Sequence, residues 1–127
     1  MTHLLTERLQ EGREDLAAYR ARGGYRGLME AREKGGAWAL EQVAQAGLRG
    51  RGGSGDGRPI GLKWRRVATA TAPERHVVAN GAESQAVSRK DRYLLACFPH
   101  RVLEGLLIAA HAVGARQTWL YVRGDSP

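Results

Sequence analysis

The sequence predicts an α/β fold: a short N-terminal helical layer, a glycine-rich loop, and then a small βαβ unit. Three observations carry this. Apolar residues at helical spacing recur through the first 46 positions, punctuated by Gly23-Gly24 and Gly35-Gly36. Six glycines and two arginines crowd the eleven residues 47–57. Beyond them, apolar runs at 76–80 and 117–123 flank the clearest amphipathic stretch of the chain, residues 100–113.

Residues 6–22 carry Leu9, Leu16 and Tyr19 at roughly helical spacing, with Glu14 and Asp15 between them, and Gly23-Gly24 supplies the stop. A second helix is expected over 25–34, ended by Gly35-Gly36. A third follows over 37–46, where Trp38, Leu40 and Val43 are apolar and Gly47 is the C-terminal cap. In 47–57, glycine lets the main chain turn through positive φ and lets another molecule approach it closely. Bare amides flanked by cations suit a phosphate or a flat anionic cofactor. The same composition also describes a solvated linker.

Residues 67–71 read either as a short strand or as a loop, and Pro73 breaks the pattern. Residues 76–80 (His-Val-Val-Ala-Asn) form a short buried strand ended at Asn80-Gly81. A helix over 88–98 has Ser88 as its N-cap and Pro99 as its close. The helix over 100–113 places Val102, Leu103, Leu106, Leu107, Ala110 and Val113 on one face and stops at Gly114. Residues 117–123 make the last strand, centred on Trp119, Leu120, Tyr121 and Val122.

Strand, helix, strand is one Rossmann-like βαβ unit, with parallel strands and a right-handed crossover. Ligands of open α/β sheets bind beyond the carboxyl ends of the strands. Asn80 and Glu83 follow the first such end and mark where a cofactor would sit. The whole reads as a single domain: helical segment 1–46, loop and connection 47–75, βαβ unit 76–127. A parallel sheet normally has both faces covered. Two strands therefore imply oligomerisation, further strands, or an edge that a partner covers.

Lys plus Arg exceeds Asp plus Glu, 20 against 13, for a formal charge of +7. The excess favours an anionic partner (a nucleotide, a nucleic acid or an acidic protein face), against the plainer reading of solvated surface charge. Arg49, Arg51, Arg58, Arg65 and Arg66 would serve a nucleic acid, but Trp64 alone among them offers a stacking surface. The single cysteine, Cys97, lies in an apolar run and reads as a buried, inert thiol in a reducing compartment. No stretch approaches a membrane span, and the first residues lack the pattern of a secretion signal, so a cytoplasmic location is expected. His3, His76, His100 and His111 have no metal-ligand spacing. His100 and His111 share a helix but stand about 16 Å apart along its axis.

One ordered series joins these pieces. It runs Gly47-Leu48-Arg49-Gly50-Arg51-Gly52-Gly53-Ser54-Gly55, Gly61-Leu62-Lys63-Trp64, Asn80 with Glu83, and Lys90-Asp91-Arg92-Tyr93-Leu94-Leu95. Pro99-His100-Arg101, Glu104-Gly105-Leu106-Leu107-Ile108-Ala109-Ala110 and Leu120-Tyr121-Val122-Arg123-Gly124 complete it. In order and near spacing it resembles the NADH-binding flavoprotein subunit of respiratory complex I and the related diaphorase subunits of NAD-reducing hydrogenases and formate dehydrogenases. The resemblance implies that Gly50, Arg51, Gly52, Gly53 and Gly55 cradle an FMN. By the same resemblance Lys63 reaches its phosphate and ribityl side, Asn80 hydrogen-bonds the flavin, and Glu83 belongs to the same wall. No catalytic side chain and no metal ligand is assigned.

The chain departs from the family pattern in three ways. Where the family places an aromatic after the glycines, this chain reads Gly55-Asp56-Gly57-Arg58-Pro59, and Asp56 cannot supply stacking. In the acidic segment, Ala82 and Gln85 replace two carboxylates. An amide has one acceptor oxygen where a carboxylate has two, so NADH affinity is expected to be weak or absent. One cysteine cannot hold a cluster that takes four thiolates, so no iron–sulfur cluster is expected in this chain. The expectation is a truncated FMN/NADH-binding domain passing electrons from NADH to flavin with a partner subunit. The alternative is a non-catalytic accessory or assembly protein that keeps the fold without the redox chemistry.

Overall fold

Local chemistry starts each element. The computed structural model describes residues 12–50, 57–83 and 87–124. Asp15 caps the first helix, its Oδ1 accepting from the Ala18 N–H at 2.7 Å, and α1 spans only Leu16–Ala21. The longer helix expected over 6–22 is thus corrected: residues 12–15 are not helical, and residues 6–11 lie outside the described residues. An Asp at N-cap position fixes the start, because its carboxylate satisfies an otherwise orphan N–H. Gly23 then turns through φ +85°, in keeping with a glycine stop.

Tyr25 precedes α2 (Arg26–Lys34) at φ +65°, a left-handed conformation that costs a non-glycine residue about 1–2 kcal/mol. Its neighbours hold it there. The Tyr25 N–H donates to Glu104 Oε2 at 2.9 Å, and the Tyr25 hydroxyl pairs with His100 Nδ1 at 3.0 Å. Its ring meets Tyr19 edge-on, with centroids 5.2 Å apart. Gly24 is required beside them, since a Cβ there would stand 2.2 Å from the Tyr19 ring.

Gly35 ends α2 and α3 (Gly36–Gln45) begins at once. The stretch after the glycine loop, where the sequence suggests strand or loop, is helical at its start: α4 spans Ile60–Ala68. Ile60, Trp64 and Val67 recur at helical spacing there, and Thr69 closes the helix through its hydroxyl, which donates to the Arg65 carbonyl at 2.9 Å. β1 is His76–Gly81, α5 is Lys90–Cys97, α6 is Pro99–Val113 and β2 is Gln117–Val122. The expected cap of α5 is corrected: Arg89, and not Ser88, occupies the N-cap position. Pro99 begins α6 rather than closing α5, a position where its missing N–H costs nothing. α5 and α6 meet at 98° across Phe98, whose side chain is fully buried.

α6 is the hub. It packs against α2, α3 and α4 on one side and against α5 and both strands on the other. Two-sided packing corrects the single apolar face expected from the sequence. Ala109 and Ala112 are buried, whereas Leu103 and Leu107 are 38% and 40% exposed. Small residues let the helices close in: Ala31, Ala39 and Ala112 form one buried cluster, with Trp38, Leu40 and Trp64 packed around it. The start of α3 lies against the last turn of α6, where a Cβ on Gly36 would stand 2.8 Å from the His111 carbonyl oxygen.

The strands pair in parallel, His76 opposite Gln117 through Gly81 opposite Val122. Parallel pairing around an intervening helix is the βαβ arrangement expected from the sequence. α6 covers one face. The other carries Val78, Trp119 and Tyr121, 56%, 56% and 62% exposed. Among the described residues no third strand joins the sheet. Cys97 is half-buried rather than buried, and no single helix among the described residues is long and apolar enough to cross a membrane.

Candidate functional site

The glycine-rich loop has a closed neck. An antiparallel bridge pairs Arg49 with Pro59, and the Ile60 N–H donates to the Leu48 carbonyl at 2.8 Å. The Arg49 guanidinium adds a side-chain tie, its Nη1 donating to the Gly57 carbonyl at 3.1 Å. Gly57 itself is left-handed, at φ +52°. The chain therefore leaves the helical layer at residue 50 and returns beside it at residue 57, at the mouth of α4. Among the described residues, a Cβ at Gly50 would meet nothing within 4 Å.

α4 starts where the neck closes, and its first turns carry the exposed Lys63. Gly61 seats this helix: a Cβ there would stand 2.8 Å from Ala44 Cα and 3.0 Å from Ala44 Cβ. An ion pair from Arg65 to Glu41 ties α4 to α3 along their exposed edge. Gly50 thus leaves one side of the neck, and Lys63 lies one turn into the helix that begins at the other. Arg51, Gly52, Gly53, Gly55 and Asp56 lie outside the described residues.

The second group of expected site residues lies at the carboxyl end of β1. Asn80 is exposed and pairs with Tyr121 in the sheet. Its Oδ1 accepts from the Ala82 N–H at 3.0 Å, turning the chain away from the strand. The Glu83 carboxylate is taken up by the start of α5. It accepts from the Ser88 hydroxyl and, at 3.1 Å, from the Asp91 N–H, and Lys90 Nζ stands 3.6 Å away. Desolvation pushes this carboxyl upward, but the Ser88 hydroxyl, the Asp91 and Arg92 amides and the Lys90 charge outweigh it and hold the group below the ordinary glutamate range. Ser88, expected as the cap, instead serves the residue that stabilises the helix start. Gln85 lies outside the described residues.

Arg75 relates the two groups. Its Nη2 donates to the Ala70 carbonyl at 2.9 Å and its Nη1 to the Val113 carbonyl at 3.5 Å. Its own carbonyl accepts from the Arg116 N–H at 3.2 Å. α4 therefore ends, and β1 and β2 begin, at one anchor beside the last turn of α6. Lys63 and the loop neck stand toward the far end of α4 from that anchor. Asn80 stands at the far end of a six-residue strand rooted there.

Glu104 is, with Glu14, one of two buried carboxylates among the described residues to which the sequence alone assigns no role. It accepts from the Tyr19 hydroxyl, from the Tyr25 N–H at 2.9 Å and from the Leu28 N–H at 3.0 Å, so it caps α2 from across the core. Burial, first, and the hydrogen bond to Glu104 push the Tyr19 phenol well above its ordinary range. Among the described residues, no group of three or more His, Cys, Asp or Glu could hold a metal ion.

A parallel βαβ unit beside a layer of helices defines a small α/β domain. The chain belongs to the family described as the Nuo51 FMN-binding domain, which matches residues 43–127. Two subunits of the NADH-quinone oxidoreductase of Rhizobium meliloti, its F 2 and F 1 forms, are similar to it. The F 2 form is 38% identical over 111 residues, covering 87% of this chain and 26% of that protein. The F 1 form is 41% identical over 106 residues, covering 83% and 24%. Among solved structures the chain resembles one in the NAD+-reducing [NiFe]-hydrogenase in the H2-reduced state, with a TM-score of 0.64 and 39% identity over 69% of this chain and 15% of that one. The chain spans about a quarter of the length of the curated relatives it matches.

Proposed function

We propose that this chain is the flavin-holding part of an NADH-oxidising assembly, binding FMN at the corner between the glycine loop and α4. Bound FMN would supply hydride acceptance and onward electron transfer. The observation that carries this reading is the closed neck at Arg49, Gly57 and Pro59, from which α4, the helix that carries Lys63, begins. Gly50, Arg51, Gly52, Gly53 and Gly55 give amides that can approach a phosphate without side-chain obstruction, and Lys63 adds a positive charge on a flexible stem. Asn80, at the strand tip, offers both a donor and an acceptor to a flavin edge. Glu83 contributes by fixing the turn that carries Asn80, since its carboxylate is engaged by the start of α5.

NADH is held weakly or not at all by this chain alone. Asp56 gives no stacking surface, and Ala82 and Gln85 remove two carboxylates that could accept from ribose hydroxyls. Electron exit needs a relay beyond these 127 residues, whose single cysteine cannot hold an iron–sulfur cluster. Ala82 and Gln85 favour a second reading, an accessory protein that keeps the fold without redox chemistry.

The visible spectrum of freshly purified protein, followed by titration with FMN and then with NADH, tests both. Quenching of FMN fluorescence on binding supports the first reading. Bound flavin that NADH does not bleach leaves the accessory or partner-dependent form. A colourless protein that leaves FMN fluorescence unchanged overturns the flavin reading.

A further inference from the structure

The neck of the loop depends on one side chain that the family resemblance gives no role. We propose that Arg49 is a positioning residue: its guanidinium clasps the two ends of the glycine loop and sets the spacing of the corner at which the phosphate is held. The inference rests on the flavin reading for its consequence, but the clasp itself is tested separately.

Two ties hold the neck, and they differ in kind. The Ile60-to-Leu48 bond joins backbone to backbone at 2.8 Å and belongs to the Arg49–Pro59 bridge. Pro59 has no N–H, so that pairing is carried by the residues flanking it. The Arg49 side chain takes over there, reaching past Pro59 to the Gly57 carbonyl at 3.1 Å. A lysine or arginine can span that gap; a shorter polar side chain cannot. Gly57 is at φ +52°, so its carbonyl direction is one that an L side chain at this position would rarely allow. The clasp thus adds a side-chain tie on the loop side of the backbone pairing.

The consequence is pre-organisation. Without the side-chain tie, residues 57 and 58 can swing away from residue 50, and ligand binding must then order them at an entropic cost. The Arg49 charge lies at the same mouth and also favours an anion there.

The test compares wild type with Arg49→Met, which keeps the stem and removes the donors, and Arg49→Lys, which restores a single donor. Two quantities are read: hydrogen exchange at the Ile60 amide, and FMN affinity by fluorescence quenching. Thermal unfolding checks that the fold is intact. The clasp predicts faster Ile60 exchange in Arg49→Met, recovery in Arg49→Lys, and FMN affinity lower by about fivefold in the first variant only. Lower affinity with unchanged Ile60 exchange would mean that Arg49 acts on the ligand directly, and would overturn the clasp. So would equal losses in both variants. If wild type does not bind FMN, the flavin reading fails, and the clasp is still decided by Ile60 exchange: faster in Arg49→Met and restored in Arg49→Lys, or refuted.

Discussion

Glu104 accepts from one phenol and two main-chain amides inside the core, and no neighbour could substitute for it. Glu104→Leu leaves those donors buried and unpaired, and is expected to cost about 3 kcal/mol or more by urea denaturation. Glu104→Gln keeps one acceptor oxygen and should cost less. The sequence places Glu104 on a helix but does not reveal its role, because its partners lie 76 to 85 residues away. Gly61 is a comparable case. In the sequence it is one more glycine near a loop; in the fold it is the contact that lets α4 lie against Ala44. Gly61→Ala forces two helix backbones apart, with an expected loss of about 1–3 kcal/mol in the same assay and weaker FMN binding, since α4 carries Lys63.

At the scale of elements, the start of α5 is set by Glu83 rather than by its own N-cap residue, Arg89. The Glu83 carboxyl is held below its ordinary value in the folded protein, so its contribution to stability is present above the unfolded-state value of about 4.3 and is lost as pH falls through the folded one. Unfolding midpoints followed downward from pH 6 should therefore drop more steeply in wild type than in Glu83→Gln. Equal slopes would show that the carboxylate does not stabilise the turn. Helix α4 is the element that the local pattern conceals. The β-branched and small residues of 67–71 obscure a period visible in Ile60, Trp64 and Val67, and the packing of Trp64 onto the alanine cluster decides the matter. The strands and α6 are legible as elements from their apolar spacing, but the burial expected over 76–80 is corrected: β1 alternates between exposed and half-buried residues, and β2 is exposed throughout. The exposure of Leu103 and Leu107 is likewise not legible, because it depends on which faces of α6 its neighbours cover.

For the whole molecule, the uncovered sheet face sets the behaviour of the isolated chain. Val78, Trp119 and Tyr121 present contiguous apolar surface on a parallel sheet, an arrangement that soluble proteins bury on both sides. The isolated chain is expected to self-associate with rising concentration. The double variant Val78→Thr, Trp119→Ser should shift that association to higher concentration, as read by light scattering; wild type and variant both monomeric across the range would contradict it. Topology alone points to a strand tip as a place for a ligand, whereas the closed neck depends on a backbone pairing and a long side chain between residues 48–49 and 57–60, which the sequence does not reveal. The flavin reading turns on that corner holding a phosphate. The most direct test compares FMN with riboflavin, which lacks the phosphate, in wild type and Lys63→Met. A phosphate site at the corner predicts that wild type binds FMN about tenfold more tightly than riboflavin and that Lys63→Met removes most of this difference. Equal affinity of wild type for the two flavins, or binding of neither, would contradict it.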